Sequence, residues 1–235
     1  MTCTAHLLFD LDGTLTDPLQ GIARCIGHAL TELGVPCPPE TALRWCVGPP
    51  LQASLVTLLG AQRAHLAPRA LALYRERFAR VGLFENRVYA GVPELLRTLH
   101  DGGATLWVCT AKPTGFARRI VEHFGLAPYF RGIYGSELDG RNTDKRDLLA
   151  SLLAAEGLPP RAATLIGDRA MDMAAAKAHG LRAIGAAWGY GSAQELRAAG
   201  ADCLVEHPAA LLHALAPARD AADPDLPSPH EEPLP

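Results

Sequence analysis

A chain of 235 residues, 49% hydrophobic and with a formal net charge of −3, is long enough for one large domain or two modest ones around a substantial core. A pI near 6.3 leaves no basic footprint for a nucleic acid polymer, and no uninterrupted apolar run of about 18 residues offers a membrane span. No segment of signal-peptide character opens the chain, and its six cysteines lack C-x-x-C or Cys/His metal spacing, so a cytoplasmic protein with reduced structural thiols is expected.

The first predicted strand, residues 6–10, ends in an oddity. Its apolar approach runs into "FDLDGTLTD", residues 9–17, where a single leucine separates Asp10 from Asp12. Like charges that close raise each other's pKa and destabilise a buried strand end unless something neutralises them. Asp17-Pro18 then reads as an N-cap with a first-turn proline. Residues 17–88 show helical patterns, roughly 18–33, 39–46, 50–59 and 62–80, and no convincing strand. They read as a helical domain inserted over the end of the first strand.

From residue 89 short apolar runs alternate with helical patterns, the signature of βα units around a parallel sheet. Strands are expected at 104–109, 131–134, 162–166, 182–186 and 202–205. Pro113 opens a helix that runs to His123-Phe124 and stops at Gly125, and Ser192 to Glu195 has capping-box spacing. The tail from Pro217, rich in proline and poor in apolar residues, is expected to be disordered. The organisation is therefore an α/β Rossmann-like core (1–16 and 89–216), an α-helical cap (17–88) and the tail (217–235).

In such a sheet ligands bind at the carboxyl ends of the strands. Asp10 ends the first strand, Thr110 ends "ATLWVC", Asp168 follows "ATLIG", and Lys145 lies just inside the preceding helix. Four reactive side chains from separate segments are thus expected on one edge. Asp168 and Asp172 of "GDRAMD", four apart, join Asp10 as oxygen donors suited to Mg²⁺, which typically takes few protein carboxylates and a substrate phosphate. Alone, "GDRAMD" reads as well as a helix cap with an exposed aspartate. Asp10 is then placed to attack phosphorus, while Asp12, its pKa raised by its neighbour, serves as acid and base. The Gly13-Thr14 amides are expected to face the phosphoryl oxygens, with Thr110, the adjoining Ala111 and Lys112, and Lys145 holding the rest. Arginine outnumbers lysine 19 to three (Lys112, Lys145 and Lys177). A retained lysine hints at a need for a compact charge, although Lys177 reads as solvated.

"FDLDGTLTD", "VCTAKP", Lys145 and "IGDRAMD" resemble, in order and spacing, the four motifs of haloacid-dehalogenase-like hydrolases over about residues 6–215. The chain is most similar to the phosphoglycolate-phosphatase-like branch, which includes nucleotidases. The resemblance implies Asp10 as nucleophile, Asp12 as acid/base, and Mg²⁺ on Asp10, the Asp12 carbonyl and Asp168 with Asp172 in support. Dehalogenases generally lack the second aspartate, so Asp12 favours phosphate chemistry. The expected partner is a small phosphorylated metabolite, with 2-phosphoglycolate first and a nucleoside 5′-monophosphate second. A sugar phosphomutase and a receiver-like phospho-acceptor module are the alternatives. A receiver carries its acidic pair first and its phosphorylated aspartate on a later strand, the reverse of the order here. Substrate choice falls to the cap: residues 46–55 read as a cleft contact or equally as a plain helix connection. Arg44, Gln52, Arg77 and Asn86 are the candidate readers of a carboxylate or ribose.

Overall fold

A computed structural model of the chain describes residues 6–216, so the proline-rich tail and Cys3 lie outside the described residues. The buried run at the start forms β1 (His6–Phe9), whose Leu7 and Phe9 enter one apolar layer and Leu8 the other, as period-two geometry requires. A short β2 (Thr16–Asp17) follows, then α1 (Leu19–Glu32), α2 (Leu51–Leu59), α3 (Ala67–Arg77) and a second short strand, β3 (Arg87–Val88). The alternating part comprises α4 (Val92–Asp101), β4 (Thr105–Pro113), α5 (Thr114–His123), β5 (Phe130–Ser136), α6 (Lys145–Glu156) and β6 (Ala163–Gly167). It continues with α7 (Ala170–Ala178), β7 (Arg182–Ala186), α8 (Ala193–Ala198), β8 (Cys203–Val205) and α9 (Leu211–Leu215).

Six strands form one parallel sheet in the order β5-β4-β1-β6-β7-β8. The chain builds outward from β1 to β5, then returns to β1's other side for β6. That reversal opens a crevice at the carboxyl ends of β1 and β6. Register aligns the ends: Phe9 lies opposite Val108 and Ile166, and the Asp10 amide donates to the Ile166 carbonyl at 2.9 Å. Leu148, Leu149, Leu152, Met173 and Leu196 cover one face of the sheet. Leu95, Leu96, Ile120, Val121 and Leu211 cover the other, in an apolar cluster that also takes in Leu30, Leu43, Leu55 and Phe78.

The segment expected to hold no strand begins and ends in one. Thr16 pairs with Val88 and Asp17 with Arg87 in an antiparallel ladder. Two residues a side carry no periodicity, so only the pairing reveals them. Between these strands every element is helical, but 39–46 and the start of 62–80 are 3-10 helices (Glu40–Cys46 and Ala61–Leu66), and α3 runs into a π turn, Phe78–Gly82. That turn lies backbone to backbone against α1: a Cβ on Gly21 would stand 2.2 Å from the Gly82 carbonyl oxygen.

Three local expectations shift. Pro18 is itself the cap position of α1, while Asp17 Oδ1 accepts the Leu19 amide at 3.3 Å. Strand β4 continues through Thr110 to Pro113, with a register break between those two residues. Ser192 caps α8 by accepting the Glu195 amide at 3.0 Å, but the Glu195 carboxylate turns to the Ala170 amide at 2.9 Å, so the box stays half formed. The five described cysteines are free thiols, and no described helix is long and apolar enough to cross a membrane.

Candidate active site

Where β1 stops, Asp10 is buried and its Oδ1 accepts from Lys145 Nζ at 2.8 Å. Lys145 is the first residue of α6, whose N-cap Asp144 accepts the Arg146 amide, and only 4% of it is exposed. Its Nζ also lies 2.9 Å from Asp172 Oδ1, a charge contact outside the directional range of a hydrogen bond. Burial alone would discharge the ammonium; Asp10 and Asp172 outweigh it and hold the lysine above its ordinary pKa.

Asp12, two residues on, points to a different cation. Its Oδ2 lies 2.8 Å from Lys112 Nζ, and that nitrogen stands 4.4 Å from the centroid of the Phe78 ring. Asp12 Oδ1 is buried without a hydrogen-bond partner among the described residues. Burial raises the Asp12 pKa, opposed by Lys112 and reinforced by Asp10. The paired aspartates are thus neutralised by one lysine each.

Gly13 and Thr14 do not stand as expected. The Gly13 amide donates to the Thr16 carbonyl at 2.7 Å and the Thr14 amide to the Leu11 carbonyl at 3.4 Å, so both serve the turn. The Thr14 hydroxyl donates to Asp168 Oδ1 at 3.1 Å. Gly13, at φ 92°, leaves room for the same carboxylate: a Cβ would sit 2.2 Å from Asp168 Oδ2. These residues therefore seat an aspartate, and the hydrogen bonds that close the turn are the reason their amides are not free.

Asp10, Asp168 and Asp172 each offer a carboxylate oxygen within 4.8 Å of the others, and all three are buried. Burial first, then Asp10 and Asp172, push Asp168 well above the usual carboxylate range. Burial likewise raises Asp172 to about 6, against the pull of Lys145. An all-oxygen set of three crowded, buried carboxylates, in which Asp168 and Asp172 resist ionisation, fits a hard divalent cation. Sequence reasoning missed the loop that holds Asp168. Tyr190 donates its amide to Asp168 Oδ2 at 2.8 Å, Gly191 donates to the Asp168 carbonyl at 3.0 Å, and Trp188 Nε1 donates to the Thr14 carbonyl at 3.0 Å. The "WGYG" after β7, two glycines around an aromatic at a strand's carboxyl end, was the available signal.

A cavity of about 20 Å³ at this edge is lined by Asp10, Asp12, Thr110, Ala111, Lys112 and Lys145, together with Gly48 and Arg169. It adjoins a cavity of about 450 Å³ that shares Asp12, Lys112 and Gly48 and is walled by Tyr74, Phe78, Phe116 and Leu71. The 46–52 segment reaches both. Of the four candidate readers in the insert, only Gln52 lines the larger cavity. Arg44 stacks on Tyr190 at 4.7 Å, Arg77 pairs with Glu85 at 2.7 Å, and the Asn86 amide donates to Thr16 Oγ1 at 3.3 Å. Arg75, unremarked in the sequence, lines the cavity instead. Lys177 is half-exposed and paired with Asp202.

A profile of the family described as haloacid dehalogenase-like hydrolase matches residues 7–186. A 5′-nucleotidase of Pseudomonas aeruginosa is 47% identical over 193 residues, 82% of this chain and 87% of that protein. A tyrosine-protein kinase PtkA of Mycobacterium tuberculosis is 38% identical over 80% of this chain, which spans 63% of that protein. A phosphoglycolate phosphatase of Pseudomonas putida is 31% identical over 88% of this chain and 78% of that protein. The crystal structure of a predicted phosphatase from Clostridium acetobutylicum superposes with a TM-score of 0.85 at 38% identity, covering 91% of this chain and 98% of that one.

Proposed function

This chain belongs to the haloacid dehalogenase-like hydrolase family, and from that membership we propose that it is a Mg²⁺-dependent phosphomonoesterase working through an aspartyl-phosphate on Asp10. The observation that carries this reading is the pair at the end of β1: a buried carboxylate held by Lys145, two residues from a buried carboxyl whose pKa is raised. Lys145 fixes the rotation of the Asp10 carboxylate for attack on phosphorus. As the new P–O bond forms and the ester P–O bond breaks, Asp12 donates its proton to the departing alkoxide. It then takes a proton from the water that cleaves the aspartyl-phosphate. Mg²⁺, held by Asp10, Asp168 and Asp172, would neutralise the carboxylate cluster and draw charge from the phosphoryl oxygens.

For the substrate we favour a nucleoside 5′-monophosphate over 2-phosphoglycolate, the reverse of the sequence-based order. A glycolate moiety would leave most of a 450 Å³ aromatic-walled cavity empty, whereas a nucleobase stacks on such walls. The relative named 5′-nucleotidase is also the more similar, at 47% against 31%. Such a partner is a small metabolite and calls for neither a nucleic acid polymer nor a membrane. The test is kcat/KM over nucleoside monophosphates, 2-phosphoglycolate and p-nitrophenyl phosphate, with EDTA and Mg²⁺ arms. An arm with a sugar-bisphosphate activator detects a mutase, and one with ATP and a tyrosine peptide detects a kinase. We expect ester hydrolysis that EDTA abolishes and Mg²⁺ restores. Full activity without metal, or phosphoryl transfer to the peptide in place of hydrolysis, overturns the proposal.

A further inference from the structure

Arg169 has no part in the chemistry above, yet it stands between the reacting groups and the helical insert. Its backbone is fixed from the core side, since its amide donates to Asp172 Oδ2 at 3.1 Å. Its side chain crosses the crevice. Nε donates to Glu195 Oε1 at 3.1 Å, and the same oxygen accepts the Ala170 amide at 2.9 Å, so the guanidinium is aimed before any ligand arrives. Nη1 donates to the carbonyl of Val47, in the segment after the 3-10 helix Glu40–Cys46. Nη2 makes no hydrogen bond among the described residues. Arg169 also lines the small cavity with Asp10, Asp12 and Lys145.

The insert is shaped to receive it. Gly48 has φ 101°, and a Cβ there would lie 2.9 Å from Arg169 Cγ. Only a glycine both adopts that backbone and lets the arginine stem pass so close. Pro49 and Pro50 follow, and then α2, which brings Gln52 into the wall of the large cavity. Arg169, the cap residue before α7, therefore holds the insert at the root of its substrate-facing segment.

We propose that Arg169 is a positioning residue that latches the Val47–Gln52 segment over the phosphoryl site, and that a phosphoryl anion in the small cavity tightens the latch. The inference rests on the phosphomonoesterase reading. A guanidinium presents five N–H donors in a rigid fork, so it can hold a carboxylate, a carbonyl and an anion together. The anion supplies the partner that Nη2 lacks. The phosphoryl group common to every substrate thus helps close the wall that discriminates among their leaving groups.

The test is hydrogen–deuterium exchange of a peptide covering residues 46–52 in the full chain with Mg²⁺, with and without inorganic phosphate, beside steady-state kinetics on the best ester. In the wild type phosphate should slow exchange there several-fold. In Arg169→Met, which keeps the stem and removes the fork, exchange should be faster and should not respond to phosphate. Arg169→Lys should behave likewise, because an ammonium carries the charge without the span. KM should rise about tenfold, the scale of one charge-assisted hydrogen bond, with a smaller change in kcat. Gly48→Ala disturbs the same contact from the insert, so the double variant Arg169→Met/Gly48→Ala should be little worse than the poorer single one. Phosphate protection in Arg169→Met equal to wild type, a loss confined to kcat, or additive single effects would overturn the latch. Failure of the phosphomonoesterase reading looks different, because the wild type itself would then hydrolyse no ester in the panel.

Discussion

Replacing Lys145 with methionine removes the one cation among the described residues that touches two of the three clustered carboxylates, while leaving the stem to pack. Nζ lies 2.8 Å from Asp10 Oδ1 and 2.9 Å from Asp172 Oδ1, in a residue 4% exposed. At an effective dielectric near 20 each contact represents about 6 kcal/mol of direct attraction. Desolvation of the buried ammonium offsets several kcal/mol of that total. The net loss expected at pH 8 without metal is about 3–5 kcal/mol, the range for stripping one partner from a buried ion pair. Two conditions should shrink it. At pH 6 the cluster can take up a proton in place of the lost ammonium, since Asp172 already titrates at about 6. Mg²⁺ supplies a replacement cation directly, so it should stabilise the variant more than the wild type. Urea unfolding at pH 8 and pH 6, each with EDTA and with Mg²⁺, measures all four values. A loss below about 1 kcal/mol at pH 8 that neither proton nor Mg²⁺ reduces would mean that the ammonium does not hold this cluster together.

Asp12→Asn should lower kcat about 10²–10⁴-fold on alkyl phosphates and far less on p-nitrophenyl phosphate, whose leaving group departs with little protonation; equal losses on both would remove Asp12 as the proton donor. Gly13→Ala forces a side chain into a φ of 92° and within 2.2 Å of Asp168 Oδ2, so calorimetry should record a Mg²⁺ affinity about 10–100-fold weaker; unchanged affinity would show that Asp168 is not seated by this turn. The pH dependence of stability should change sign with metal. Asp168 and Asp172 have folded pKa values raised by burial, so the native state binds protons that the unfolded chain releases, and metal-free stability grows as pH falls through about 6 toward the unfolded value of 3.8. Asp17, Glu85, Glu195 and Asp202 are lowered instead and withdraw their contribution below their unfolded values of 3.8 to 4.5. Tm in EDTA should therefore rise from pH 8 to about 4.5 and then fall, whereas saturating Mg²⁺, which favours the ionised carboxylates, should remove the rise; identical profiles would refute the metal assignment.

The strands and most helices were legible because their signals are local. Alternation of Leu7, Leu8 and Phe9 between two layers, or an apolar run ending in Thr110, is a property of neighbouring residues, and parallel-sheet geometry then brings Asp10, Thr110, Lys145 and Asp168 to one edge. Which partner each polar side chain takes across that edge is not local. Asp12 meets Lys112 and not Lys145, Thr14 turns to Asp168, and Glu195 leaves its own cap for Ala170, each set by packing distances between segments remote in the chain. The same holds in the insert, where Arg44, Arg77 and Asn86 look alike to a reader of the sequence and only Gln52 reaches the cavity. The two-residue ladder of Thr16–Asp17 with Arg87–Val88 is too short for any period and exists only as a pairing. Residue types and spacing decided which chemistry the edge can hold. The tertiary structure decided which charges neutralise one another there, and which arginine joins the two halves, because those depend on distances that no local pattern encodes.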